Sequence, residues 1–389
     1  MVNNKRYRIV YCTPALYMAG GVERVLTLKA NYFAENFGYD ITIILTEGKG
    51  KPYFYPLSDK IKVINLNIGF EELWKCSFIK KIFVYLKKQH RYKIELTREL
   101  MRIRPDITIS LLRREINFLS TIKDGSVKVG ELHVNRSNYR NFEDNDTNVI
   151  KSIFAKIWMK DLVRHLRRLD KFVTLTQEDK LQWGELNNVI VIPDPLSFHT
   201  DVVSPLVSKR VIAVGRYVYQ KGFDLLLRAW SLVEKKCEDW SLAVYGQGNR
   251  RPYMLLMEDL GLDRNRCFLN GPVNDICQEY INSSIFVFSS RFEGFGMVIL
   301  EAMTCGLPVV SFDCPCGPKD IITANEDGLL IENGNVEELA SAIIRLISNP
   351  LLLSKMAKSA TENVERYKME HIANKWKTLF ESLDGKYII

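Results

Sequence analysis

Apolar runs of about five residues, rich in Val and Ile, alternate along this chain with longer stretches in which apolar positions recur every three or four residues. The first pattern predicts strands at Arg8–Cys12, Ile41–Leu45, Val63–Leu66, Ile107–Leu111, Val127–Glu131, Phe172–Thr176 and Val189–Ile192; the second predicts helices near 22–36, 95–103 and 178–185. Such alternation builds a mostly parallel sheet covered by helices. Pro193-Asp194-Pro195 and a polar stretch running to Ser208 interrupt it, after which it restarts at Val211–Val214 and continues to Gly328–Ile331. From Val336 onward the pattern is helical only, with Asn349-Pro350 separating the first two helices. The expected architecture is α/β with two mostly parallel units: 1–195, a linker at 196–208, 209–368, and a last helical segment, 369–389. Two cores are also what 389 residues call for.

The most informative string is Arg291-Phe-Glu-Gly-Phe-Gly-Met-Val-Ile-Leu-Glu-Ala-Met-Thr-Cys-Gly-Leu-Pro308. Between Met297 and Val310 the only charged side chain is Glu301, so a helix apolar almost all round carries one acid into a core, where it needs hydrogen-bond donors. Glu293 lies just before that helix. Between the two acids, Gly294, Phe295 and Gly296 offer close backbone approach and amide N–H groups at a helix N-terminus, which suits a polyhydroxylated ligand carrying phosphate. The alternative is structural: Glu293 caps the helix and Glu301 pairs with a core Arg or Lys.

Gly215 and Arg216 directly follow the strand Val211–Val214, and Lys221-Gly222-Phe223-Asp224 opens the next helix. Two cations at a strand end beside a helix start can clamp a diphosphate, and neither reads as core. Gly246, in Tyr245-Gly246-Gln247-Gly248, makes a second glycine turn after a strand. In the first half Gly20-Gly21-Val22-Glu23-Arg24 opens a helix, and the dinucleotide fingerprint Gly-x-Gly-x-x-Gly is absent there, which disfavours a nicotinamide enzyme. His133 follows a strand and reads either as a structural hydrogen-bonder or as a catalyst.

Glu-x7-Glu around Glu-Gly-Phe-Gly, together with Gly-Arg-x4-Lys-Gly-Phe-Asp, resembles the donor-site signature of retaining glycosyltransferases of group 1, the type that includes bacterial glycogen synthases and lipid mannosyltransferases. The resemblance implies the GT-B fold, two Rossmann-like domains facing a cleft, with the last helix crossing back to the first domain. It implies that Arg216 and Lys221 bind the donor diphosphate beside Gly215 and Gly246, that Glu293 and the amides of Phe295 and Gly296 hold the transferred sugar or β-phosphate, and that Glu301 holds the ribose. Gly20 and Gly21 then correspond to the loop over the donor phosphates and acceptor, and His133 to a residue near the anomeric carbon. One departure is Asp320, where related chains carry Glu.

Charge adds a second theme. The chain carries a net charge of +8, and the excess of Lys and Arg lies wholly before residue 206. Between Glu72 and Glu95 no acid occurs, while Lys75, Lys80, Lys81, Lys87, Lys88, Arg91 and Lys93 interleave with Trp74, Phe78, Phe83, Tyr85 and Tyr92, a composition that suits an anionic bilayer surface. Residues 153–168 form a second stripe, read as packing on the sheet. No nucleic-acid recognition motif accompanies the charge, and nucleic acid is not expected as a partner. Eight cysteines without paired spacing and no long apolar N-terminal region lead to a cytoplasmic location, with peripheral attachment to the inner face of the plasma membrane. The five His are scattered, so no metal and no resident cofactor are expected.

The function these readings support is transfer of a hexose from a nucleoside diphosphate sugar, UDP-linked by resemblance, to a hydroxyl of a lipid-linked or surface-polysaccharide precursor with retention. Front-face attack and double displacement both remain open. A phosphorylase or epimerase of the same fold and a non-catalytic sugar-nucleotide binder are the alternatives, and turnover separates them.

Overall fold

The computed structural model describes residues 5–75, 77–139 and 149–384, and divides them into two units, Met1–Pro193 with Met369–Ile389, and Asp194–Lys368. The first unit runs β1 (Arg8–Thr13), α1 (Gly21–Asn36), β2 (Asp40–Leu45), β3 (Lys62–Asn65), α2 (Phe78–Ile103), β4 (Ile107–Ser110), β5 (Val127–Glu131), α3 (Val149–Leu166), β6 (Lys171–Thr174), α4 (Gln177–Gln182) and β7 (Val189–Val191). Its strands are all parallel in the order β3-β2-β1-β4-β5-β6-β7. Their side chains are apolar on both faces because helices cover both, which is why the strands read as continuous apolar runs rather than as alternation.

The second unit runs β8 (Arg210–Val214), α5 (Phe223–Glu234), β9 (Ser241–Tyr245), α6 (Arg251–Asp259), β10 (Cys267–Asn270), α7 (Ile276–Ile281), β11 (Ile285–Phe288), α8 (Met297–Thr304), β12 (Val309–Phe312), α9 (Pro318–Ile321), β13 (Gly328–Ile331), α10 (Val336–Ile347) and α11 (Pro350–Val364). Its parallel sheet has the order β10-β9-β8-β11-β12-β13. The chain leaves β8 toward β9 on one side and returns to β11 on the other, so a crevice opens beyond the C-terminal ends of β8 and β11.

One sequence boundary moves. The stretch read as a linker at 196–208 is packed into the second unit: Leu196 and Ser204 are buried, the Ser204 N–H donates to the Cys305 carbonyl, and the Ser204 hydroxyl donates to the Ser283 carbonyl. α12 (Met369–Leu383) belongs to the first unit, where Phe380 lies 5.8 Å from the Phe33 ring and 6.0 Å from the Tyr7 ring.

The helix read at 95–103 is the tail of the long α2. Its first half shows an apolar face to solvent, with Phe83 71% exposed and Ile82 and Leu86 also exposed, while Tyr92, Leu96 and Leu100 pack into the core. Lys80, Lys81, Lys87 and Arg91 are exposed beside that face. Lys88 is not available to a partner: its ammonium donates to the Ile68 and Gly69 carbonyls at 2.7 and 2.8 Å and pairs with Glu72. The side chains of Trp74, Lys75 and Phe78 lie outside the described residues. In the stripe at 153–168, Leu162 and Leu166 are buried in the core and Ile157 is exposed; the side chains of 153–156 lie outside the described residues. Among the described residues no helix is long and apolar enough to cross a membrane.

Candidate active site

The loops after β8, β9 and β11 converge because their backbones come too close for side chains. A Cβ on Gly222, which has φ +62°, would stand 2.0 Å from the Ser289 carbonyl oxygen, and one on Gly246 would stand 1.7 Å from the Gly215 carbonyl oxygen. Only glycine fits at either position. Hydrogen bonds then lace the first and third loops together: the Arg291 N–H donates to the Gln220 carbonyl at 2.8 Å and the Ser289 hydroxyl to the Lys221 carbonyl at 2.9 Å.

Side chains complete the lock. The Arg291 guanidinium donates to both oxygens of Asp224 at 2.8 and 2.6 Å and to the Tyr219 carbonyl at 2.8 Å. Burial raises the Asp224 carboxyl, but the paired bonds from Arg291 outweigh it and hold the group below its ordinary value. A carboxyl lowered on folding contributes stability above its unfolded pKa of about 3.9, and that contribution is lost as pH falls through the lower folded value. Acid unfolding of Asp224→Asn, followed by circular dichroism, is therefore expected to show a smaller loss of stability between neutral pH and pH 3 than wild type does; equal pH dependence would show that Asp224 is not titrating against Arg291.

This lock sets the central contact. Lys221 Nζ lies 2.6 Å from Glu293 Oε1, and Gln220 Nε2 donates to Glu293 Oε2 at 3.3 Å and to the Phe292 carbonyl at 3.0 Å. Glu293 is 7% exposed and the Lys221 side chain 14%. Glu293 is thus not a helix cap; α8 starts from Gly296 without a side-chain cap. Lys221, read as lying outside the core, is half-buried, and its ammonium neutralises the buried Glu293 carboxylate. Arg216 differs: it is exposed and makes no ion pair among the described residues.

Within α8, Glu301 is 5% exposed. It accepts hydrogen bonds from Ser197 Oγ at 2.6 Å, on the stretch entering the second unit, and from Tyr280 OH at 3.3 Å, on α7. Hydroxyls therefore hold this acid in place. Gly215, Arg216, Lys221, Gly246, Glu293, Gly294, Phe295, Gly296 and Glu301 all belong to the second unit, at or beside the crevice beyond β8 and β11.

Gly20, Gly21 and His133 belong to the first unit. Gly20 precedes α1 in extended backbone, and the Glu23 carboxylate occupies the space a side chain on Gly20 would take. His133 Nε2 lies 3.2 Å from Glu131 Oε1, and the same buried carboxylate pairs with the buried Lys29 on α1. Burial raises Glu131, yet Lys29 and His133 outweigh it and bring the group down to about 2. Lys29 Nζ in turn sits 4.5 Å from the centre of the Trp376 ring on α12. Sequence reading missed Arg291, Asp224, Gln220 and Glu131 as site-building residues. Asp224 and Arg291 flank the two donor motifs, and the pairing of an acid in one with a base in the other was the available signal.

The sequence profile described as glycosyl transferases group 1 matches residues 199–365. An uncharacterized glycosyltransferase of Haemophilus influenzae is 30% identical over 364 residues, spanning 92% of this chain and 96% of its own length. The amylovoran biosynthesis glycosyltransferase AmsD of Erwinia amylovora is 27% identical over 383 residues, spanning 95% of this chain and 98% of its own. Among solved structures, a point mutant of S. aureus TarM in complex with fondaparinux, α-GlcNAc-glycerol and UDP superposes with a TM-score of 0.72 at 18% identity, covering 96% of this chain and 99% of that one, a likeness that bears on fold alone. With two parallel α/β units of GT-B type and a profile that spans the whole Arg216-to-Glu301 constellation, the chain belongs to the group 1 glycosyltransferases.

Proposed function

We propose that the chain transfers a hexose from a UDP-sugar to a hydroxyl of a membrane-held surface-polysaccharide precursor, with retention at the anomeric carbon. The observation that carries the donor half is the crevice beyond β8 and β11, where glycine-lined turns bring Lys221, Glu293 and the N-terminal amides of α8 together. In this reading Arg216 and Lys221 bind the diphosphate beside Gly215 and Gly246, and stabilise the charge that develops on it as the sugar leaves. Glu293, with the amides of Phe295 and Gly296, takes the sugar hydroxyls, and Glu301 takes the ribose. Gly20, Gly21 and His133 serve the acceptor side. Retention follows a front-face route: the acceptor oxygen bonds to the anomeric carbon as the diphosphate oxygen leaves, and that oxygen takes the acceptor proton. Both Glu293 oxygens are already engaged by Lys221 and Gln220, which disfavours Glu293 as a nucleophile.

The acceptor half is supported by relatives named for the polymers they act on or make, among them the amylovoran biosynthesis glycosyltransferase AmsD and a poly(glycerol-phosphate) α-glucosyltransferase of Bacillus subtilis. Incubating the protein with a panel of nucleotide sugars and a bacterial lipid extract, and following UDP release, tests the whole reading. UDP release that depends on lipid supports it; no release with any donor supports the non-catalytic binder instead. The anomeric configuration of the product, read by NMR, tests retention.

A membrane-held acceptor asks for a membrane-facing surface, and the exposed Ile82, Phe83 and Leu86 with Lys80, Lys81 and Lys87 on α2 supply the chemistry. The protein is expected to sediment with vesicles containing phosphatidylglycerol and to be released as salt rises, because exposed charges are screened within about 10 Å at 0.1 M. Replacing Lys80, Lys81 and Lys87 by Gln weakens this binding and leaves UDP affinity intact. Lys88 is excluded from that set because it is spent on carbonyls of its own unit. Equal binding to neutral and anionic vesicles would remove the electrostatic part of the idea.

A further inference from the structure

α7 and α8 meet along two successive rungs. On α7, Cys277 and Tyr280 are three residues apart; on α8 and its C-terminal cap, Glu301 and Cys305 are four apart, so each pair shares a face. Tyr280 OH donates to Glu301 Oε2 at 3.3 Å, and on the neighbouring rung Cys277 Sγ lies 3.7 Å from Cys305 Sγ. Both thiols are free; Cys305 is buried, and Cys277 is half-buried. None of the roles assigned above uses these thiols.

We infer that Cys277 and Cys305 are a modification site that closes to a disulfide by exchange with a small disulfide such as oxidised glutathione, and that closure weakens nucleotide binding through Glu301. The second half rests on the ribose reading of Glu301; the first stands without it. Burial, with Cys277 and Glu301 adding to it, pushes the Cys305 thiol up, so Cys277 reacts first. Cys277 gives its proton to solvent and attacks a glutathione sulfur; the S–S bond of the reagent breaks, and one glutathione leaves as thiolate and is protonated. Cys305 then loses its proton and attacks the Cys277 sulfur of the mixed disulfide, displacing the second glutathione. Two cysteines are oxidised and one small disulfide is reduced to two thiols.

The sulfurs must approach from 3.7 Å to about 2.05 Å. That displacement is shared between Cys277 on α7 and Cys305 at the C-terminal cap of α8, one rung from the Tyr280 bond and one turn from Glu301, where α8 is buried from Ile299 to Thr304 and moves only with its neighbours. Hydrogen bonds from a carboxylate to ribose hydroxyls do not survive a shift of that size unchanged.

The test uses the full chain, reduced and desalted, then incubated with oxidised glutathione. Mass spectrometry after alkylation is expected to show two thiols lost with no glutathione retained and a cross-link between Cys277 and Cys305. Isothermal titration with UDP is expected to show affinity about 10-fold weaker in the oxidised protein, restored by dithiothreitol. Cys277→Ser, at the half-buried position, neither cross-links nor responds to the reagent. A stable glutathione adduct on Cys277, or retention of both thiols, overturns the disulfide. A cross-link with unchanged UDP affinity overturns the coupling if Glu301→Gln itself binds UDP more weakly. If Glu301→Gln binds UDP as wild type does, the ribose reading is the part that fails, and the cross-link still upholds the modification site.

Discussion

Replacing Arg216 by Ala is expected to lower turnover about 10²–10³-fold, by analogy with deleting one preorganised donor to a developing anion, while the thermal unfolding curve stays where it was. Both halves follow from its surroundings. The guanidinium is exposed and makes no ion pair among the described residues, so its removal strands no partner, yet it stands beside Gly215 at the end of β8, where the proposed diphosphate arrives. Lys221→Ala is expected to lower turnover as much but to destabilise the fold as well, on the order of 3 kcal/mol, because the buried Glu293 carboxylate loses its cation. Steady-state kinetics and urea unfolding on the two variants separate the effects. Activity of the wild type is expected to survive EDTA, since the proposed clamp neutralises the leaving group with side chains. Loss on chelation, restored by Mg²⁺ or Mn²⁺, would overturn the clamp as the source of that neutralisation, and a fully active Arg216→Ala would remove Arg216 from it.

Glu293→Gln is expected to lower kcat about 10²-fold with UDP affinity unchanged or tighter. The Lys221 ammonium is neutralised by Glu293 at 2.6 Å, and a diphosphate has to compete with that carboxylate for it. An amide at 293 removes the competitor and keeps a hydrogen-bonding group toward the sugar, so ground-state binding of UDP does not suffer. What is lost is the charged acceptor that the sugar hydroxyls would meet as positive charge builds at the anomeric carbon. Calorimetric UDP binding beside kcat reads the split. A variant that loses UDP affinity in proportion to kcat would mean that Glu293 acts by holding Lys221 in place rather than by meeting the sugar.

α2 shows why a composition has to be read against a fold. Its acid-free run looked like one basic surface, but the fold divides it: Lys80, Lys81 and Lys87 face solvent beside Phe83, whereas Lys88 turns inward to cap the Ile68 and Gly69 carbonyls. Helical phase sets Lys87 and Lys88 about 100° apart around α2 but does not say which of the two turns inward. The Ile68 and Gly69 carbonyls that draw Lys88 inward come from a loop some twenty positions away.

The parallel α/β character, the two-unit division and the buried acid in α8 were legible in the amino-acid sequence because each is local. Apolar period sets strand and helix, a proline pair stops the alternation, and a single charge among Val298, Ile299, Leu300, Ala302 and Met303 has no solvent-facing side to turn to. The Glu293 and Lys221 motifs were legible for the same reason. Their pairing was not. It depends on strand order, which sets β11 beside β8 although β9 and β10 intervene in the chain, and on the Gly222–Ser289 backbone approach that no residue pattern reports. Likewise Ser197 and Cys305 gain meaning only when the chain entering the second unit packs on α8. Sequence determined which side chains had to be buried or flexible, since that is a question of solvation and backbone freedom; tertiary structure decided which of them face each other, because ion pairing and thiol contact fall off within a few ångströms and chain separation says nothing about distance.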